Sequence, residues 1–279
     1  MKTSAVKKNL YQASALNSRS ITRKNLPKVP LRDFQGWFTA TEGVTTVSNA
    51  VSQWDNLVPG GDNLTQSTAN ARPVLTTMNG RTAFSFDGES GRGAAIDFVS
   101  EDGDLLDGIG TGDYYIAFVV SFDTIGQLST LILSKSNPNA WNIQIGGLNS
   151  NLVLEVGGIP VFATDTNSFT ETNKTFFIEL VRTGNTTICY RNGENIKEST
   201  PIYTLSSSGT LILGRMDCVM SEFICKIGNM PDETRQMIEA LMATKWNLGA
   251  SPTAVARGRA SGFDSLPASN PFRNKPPRF

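Results

Sequence analysis

The side chains that perform most enzyme chemistry are sparse in this chain. Histidine is absent from all 279 residues. That removes His-based triads, imidazole general bases and His-containing zinc sites together. The three cysteines, Cys189, Cys218 and Cys225, cannot all pair within one chain and lack metal-ligand spacing. Cys218 and Cys225 stand seven apart, which on one regular strand places them on opposite faces. All three read as small buried apolar residues. Carboxylates offer more. Asp97, Glu101, Asp102, Asp104, Asp107 and Asp113 fall close together, with Gly103 and Gly108 among them. Hard oxygen donors at this density suit Ca²⁺, with Asp102, Asp104 and Asp107 as candidate ligands. No other cofactor is implied. The spacing fits no EF-hand loop, so a solvated acidic loop is the simpler reading. Glu155 and Glu179 each stand alone among apolar neighbours. Trp37, Trp54 and Trp141 could stack on sugar rings, but within strand patterns such residues more often fill a core.

The elements that must hold these residues are mostly strands. Between Phe34 and Gly228, short β-branched and aromatic runs alternate with turn residues. Arg81 to Phe86, Asp113 to Phe122, Trp141 to Ile145, Leu152 to Val156, Phe176 to Val181 and Thr186 to Tyr190 are the clearest. Leu131 to Leu133, Leu211 to Leu213 and Val219 to Ile227 complete them, and Asn192-Gly193 predicts a tight hairpin. Many strands without intervening helices argue an antiparallel sandwich or barrel. One helix is expected over Pro231 to Leu248. Pro231 suits a first turn, Asp232 and Glu233 complement the dipole, and Gly249 supplies the stop. Its apolar face is Ile238, Leu241, Met242 and Trp246, which predicts packing against the rim of the sandwich.

Net charge is zero, yet it is unevenly placed. Residues 1–32 carry eight Lys/Arg and no acid, residues 250–279 carry five and the single Asp264, and the remainder is −12. Only Tyr11, Phe263, Phe272 and Phe279 of the aromatics lie in these ends. The organisation is therefore a basic N-terminal arm (1–33), a β-domain (34–249) and a Pro-rich basic C-terminal arm (250–279). Alone, the arms cannot bury enough apolar surface to offset their ordering entropy. Lys7, Lys8, Tyr11, Arg23, Lys24, Phe263, Phe272 and Phe279 are the residues expected to meet a partner. Cations dispersed without interleaved aromatics make nucleic acid a poor candidate for that partner. An acidic protein surface, including a second copy of this chain, fits better. Residues 1–20 lack the apolar core of a signal peptide, and no apolar run approaches a membrane span.

Gln35-Gly-Trp-Phe-Thr-Ala40, Ala50-Val-Ser-Gln-Trp-Asp-Asn56, Ala71-Arg-Pro73 and Arg81 to Gly88 form an ordered series. It closes with Ser221-Glu-Phe-Ile224, Asp232-Glu-Thr-Arg-Gln236, Ile238-Glu-Ala-Leu241 and Lys245-Trp-Asn-Leu248. This series resembles concanavalin A-like (laminin-G-like) jelly-roll domains of phage and bacterial surface proteins, across residues 34–249. The resemblance implies an all-β, two-sheet antiparallel sandwich with one C-terminal helix, loops open to ligands, and arms outside it. Related glycoside hydrolases carry a Glu-x-Asp-x-x-Glu strand that pairs acid and nucleophile; no such string occurs here. The expectation is a non-enzymatic bacteriophage virion subunit, a capsid decoration, head-fibre or tail-associated protein. Assembly in the host cytoplasm would need no export signal. Its partners would be other virion proteins and itself. The alternative is a module binding a host-surface glycan.

Overall fold

The computed structural model describes residues 29–86, 97–100, 105–122, 129–136, 141–146, 150–205, 209–214 and 217–248. Within them one hydrogen-bonded network joins 17 strands, and every pairing is antiparallel. Its first flank runs β15 (Glu194–Ser199), β14 (Thr186–Arg191), β13 (Thr175–Thr183), β8 (Tyr114–Phe122), β17 (Cys218–Ile227). The far edge of β17 is shared by β1 (Gly36–Thr39) and β6 (Arg81–Phe86). From β6 the ladder continues through β5 (Val74–Met78), β3 (Ala50–Trp54) and β4 (Leu64–Thr65), with β2 (Val44–Val47) beside β3. The second flank follows: β7 (Asp97–Ser100), β16 (Thr210–Gly214), β9 (Ser129–Ser136), β10 (Trp141–Gly146), β11 (Asn151–Val156) and β12 (Ile159–Ala163). The ladder nearly closes on itself. Beyond β12, Asp165 takes Lys197 of β15 at 2.7 Å, and the Ser168 carbonyl accepts from Arg191 of β14.

Both flanks turn alternate side chains to one core, where Phe118, Ile178, Leu180 and Phe223 meet Trp141, Ile143, Leu154 and Leu213. Phe38, Phe223 and Phe118 stack in series at 5.6 and 5.5 Å, and Trp54 stands edge-on to Phe84 at 4.7 Å. Gly36 is required by this packing. A Cβ there would lie 2.7 Å from the Phe38 ring and 2.9 Å from Cys225 Sγ.

The outer face of the first flank is packed as well. α1 (Asp232–Trp246) lies over this face and not at the rim expected from sequence, because Ile238, Met242 and Trp246 form a second core with Trp37, Tyr115, Ala117, Val119, Phe177 and Ile224. Hence all nine residues of β8 are buried, as a strand covered on both sides requires. The helix ends one turn before Gly249: Asn247 adopts the left-handed conformation at φ 53° and its N–H caps the Ala243 carbonyl. Asn192 and Gly193, at φ 52° and 83°, make the expected hairpin between β14 and β15.

One sequence expectation fails here. Cys218 and Cys225 both face the main core. Regular alternation is broken at Ser221, where the register of β17 against β8 shifts between Met220 and Glu222. There β17 exchanges β6 for β1 on its far edge, pairing with β6 through Met220 and with β1 from Glu222. One bulged residue reverses the parity of everything beyond it.

Candidate functional site

Two clusters of charged side chains lie beneath α1, each joining the helix to the first flank. In one, Lys245 Nζ lies 2.7 Å from Glu222 Oε1 and donates to Thr39 Oγ1 at 2.9 Å. Trp246 Nε1 and Thr39 Oγ1 donate to the same Glu222 oxygen at 3.1 and 3.0 Å. In the other, Arg235 Nη1 lies 3.1 Å from Glu239 Oε2 and 3.5 Å from Glu179 Oε2. The Arg235 guanidinium covers the Tyr190 ring at 3.9 Å, and Tyr115 Oη donates to Glu179 Oε1 at 3.0 Å. β17 supplies Glu222, β1 supplies Thr39, β13 supplies Glu179 and β8 supplies Tyr115, all from residues that face outward from the main core.

Burial pushes the Glu179 carboxyl up to about 8, against the pull of Arg235. Burial raises Glu222 as well, opposed by Lys245, and lifts Tyr115 well above its ordinary value. Raised carboxyls often mark general acids. Here Glu179 and Glu222 are both 0% exposed, so neither can touch a substrate. The clusters act as clamps: each helix cation is held by a strand carboxylate that would otherwise be buried alone.

The motif residues of the sequence lead to the same clamps. Trp37 sits opposite Ile224 and Thr39 opposite Glu222 across β1 and β17, and Lys245 and Trp246 close on Glu222. Asn56 holds the entry to β1: its Oδ1 accepts from the Trp37 and Val58 amides at 3.0 Å, and its Nδ2 donates to the Gln35 carbonyl at 2.9 Å. Trp37, Trp54, Trp141 and Trp246 are all fully buried, which takes them out of any sugar-stacking role in this structure. Burial pushes the Cys189 and Cys225 thiols up, and all three cysteines are free and buried.

Of the candidate Ca²⁺ ligands, Asp102 and Asp104 lie outside the described residues. Asp107 pairs instead with the amine of Lys135. Lys135 points into the core between Trp141 and Leu211, is 0% exposed, and donates also to the Leu105 carbonyl at 3.2 Å. An ammonium therefore stands where Asp107 would hold a cation. No group of three His, Cys, Asp or Glu that could hold a metal occurs among the described residues. The arm residues Lys7, Lys8, Tyr11, Arg23, Lys24, Phe263, Phe272 and Phe279 also lie outside the described residues.

The second flank differs from the first. None of the second core comes from β7, β16 or β9–β12, so among the described residues no helix covers their outer face. Its strands alternate: Leu152 and Leu154 point inward, while Val153 and Glu155 are half-buried on the outer side. One register row crosses five strands there, from Ile212 through Ser134, Asn142 and Glu155 to Pro160. Asn142 Nδ2 donates to Glu155 Oε2 at 3.3 Å, while Asn142 Oδ1 is buried with no partner. Gln144, two residues along β10, lies on the same side, and all three side chains are half-buried. Glu155, which the sequence marked as solitary, is thus the carboxylate on the open side, and Glu179 the one sealed beneath the helix.

No protein-family model matches the chain, and no curated protein matches it. Solved structures do share its fold. The sialidase of Trypanosoma rangeli bound to the inhibitor DANA aligns at TM-score 0.57 and 12% identity, covering 86% of this chain and 38% of its own. The receptor-binding domain of botulinum neurotoxin type G aligns at 0.52 and 11% identity over 75% of this chain and 51% of its own. Domain 4 of AbnA, a GH43 extracellular arabinanase from Geobacillus stearothermophilus in complex with arabinotriose, aligns at 0.50 and 14% identity. That alignment covers 74% of this chain and 98% of the arabinanase domain. The chain thus spans well under half of the sialidase chains but nearly all of a separate domain. At these identities the likeness establishes an all-β sandwich or barrel fold and nothing finer.

Proposed function

We propose that the chain is a non-catalytic structural subunit of a bacteriophage particle, a concanavalin A-like two-sheet jelly roll attached through its basic arms. One observation carries the non-catalytic part. Among the described residues, Glu179 and Glu222, whose carboxyls burial raises, are consumed in helix clamps that solvent cannot reach. The assembly part is supported by the charge layout, −12 in the domain against two cationic arms, and by the resemblance that the ordered motif series carries, of which Thr39, Glu222, Arg235, Glu239, Lys245 and Trp246 take part in the helix clamps. The capsid decoration, head-fibre and tail-associated positions share this chemistry. The test is to purify particles and quantify the chain by mass spectrometry. A fixed stoichiometry that is lost on deleting residues 1–28 supports the reading; absence from particles sinks it.

A second reading has its own support. The open row of Asn142, Gln144 and Glu155 suits hydroxyl-rich ligands, and a domain of this fold is known with arabinotriose bound. On this reading the uncovered flank binds a surface glycan. Glycan-array binding that disappears in Asn142→Ala and Glu155→Ala would favour it.

A further inference from the structure

Both arms root on the same side of the domain. Val29 and Leu31, where the described chain begins, pack on the second core, and so does Leu248, where it ends. Asn79 Nδ2 fixes that end by donating to the Trp246 carbonyl at 2.6 Å. The described chain therefore both begins and ends beside α1.

The helix between these roots is nearly balanced in sequence, with three acids and two cations. The fold sorts them. Arg235, Glu239 and Lys245 turn inward, while Asp232 and Glu233 stay exposed. Asp232 touches Arg235 Nε at 3.5 Å but keeps 80% of its side chain in solvent. The outward stripe is Glu233, Met237, Ala240 and Thr244, spaced to lie on one face, with no cation on it. The described interior takes four cations, Lys135, Arg182, Arg235 and Lys245, and four acids, Asp97, Glu179, Glu222 and Glu239.

We propose that this helix-side face docks onto the same face of a second copy, each copy laying its cationic arms across the outward stripe of the other's α1. Donor and acceptor share one face, so the contact is self-complementary. Such an interface closes as a two-fold dimer and does not propagate as a filament. Charges on exposed side chains steer the encounter and are screened by salt. Met237, Ala240 and the arm aromatics supply the apolar part of the contact. The proposal rests on the arm-mediated assembly read above and names the arms' partner as another copy of this chain.

The experiment is a charge swap in the full chain. One variant carries Lys7→Glu, Lys8→Glu, Arg23→Glu and Lys24→Glu; the other carries Glu233→Lys and Ala240→Lys. The wild type is expected to weigh as a dimer by light scattering at about 50 mM salt, weakening about tenfold by about 500 mM. Each variant alone should be a monomer with the circular dichroism of the wild type, and an equimolar mixture should restore a 1:1 dimer. If the helix variant fails to fold, the arm variant still decides by its mass. A wild type that stays monomeric at low salt, grows without limit, or dimerises only with added DNA overturns the proposal. A chain that dimerises yet is missing from particles contradicts the virion role alone. One found in particles but never dimeric contradicts only the face-to-face docking.

Discussion

The two flanks of the sheet are made of similar strands and meet the same core, yet their outer faces have opposite fates. On the first flank, α1 closes over Trp37, Tyr115, Phe177 and Ile224 and drives Glu179 and Glu222 into the dry interior. On the second, Asn142, Gln144 and Glu155 are half-buried beside Val153 and Ile212, with Asn142 and Glu155 in contact. The difference teaches where stability and recognition reside. Ionic groups under the helix are desolvated, so their geometry is fixed and their loss is costly. Polar groups on the second flank are part-exposed and cost less to change.

The largest effect should follow from removing the anchor of the roof. Trp246→Ala empties a fully buried site and is expected to cost ~3–5 kcal/mol in denaturant unfolding. Near-neutral stability would mean the helix does not hold the first flank. Next comes Lys245→Met, which leaves Glu222 buried without its cation. A loss of about 3 kcal/mol is expected, with much of it recovered in the Lys245→Met, Glu222→Gln double variant.

A pH effect should come third. Glu179 titrates at about 8 in the folded chain, above the ordinary carboxyl value of 4.5. Between those values the folded state holds the proton and the unfolded state has lost it. Stability should therefore fall as pH rises from about 4.5 to about 8, by at most about 1.4 kcal/mol per unit. Glu179→Gln should flatten that slope, and an unchanged slope would place the titration elsewhere. The smallest effect belongs to the open flank, where Gln144→Ala and Glu155→Gln should each change stability by less than about 0.5 kcal/mol. A large loss there would erase the contrast between the flanks.

Much of the first flank could be read from sequence. Unbroken apolar runs such as Tyr114 to Val120 announce a strand covered on both faces, and the helix was legible from its period and from Pro231. β1 to β5, β7 and β12 are not legible as strands, because runs of two to five residues, several of them Thr-rich or Pro-containing, resemble loops until a neighbour pairs with them. Glu179 was visibly out of place among apolar residues. Its partner Arg235 lies 56 residues further on, and only the crossing of α1 over β13 joins them. The alternation rule misplaced Cys218 and Cys225, since the bulge at Ser221 depends on two different strands sharing one edge of β17. Asp107 stood out as a possible metal ligand because its true partner, Lys135, lies on β9, out of sequence reach. Part of the motif series meets at the helix: Thr39, Glu222, Lys245 and Trp246 form one clamp, and Arg235 and Glu239 enter the other.

The account turns on the contrast between a sealed and an open flank, and hydrogen exchange measures it most directly. In the free protein, the amides of β8, β13 and β17 should exchange only through global unfolding, while those of β10, β11 and β12 exchange faster through local opening. Under Trp246→Ala, protection of the first flank should drop toward that of the second. Equal protection of both flanks in the wild type, or slower exchange in β10–β12 than in β8, would contradict the account.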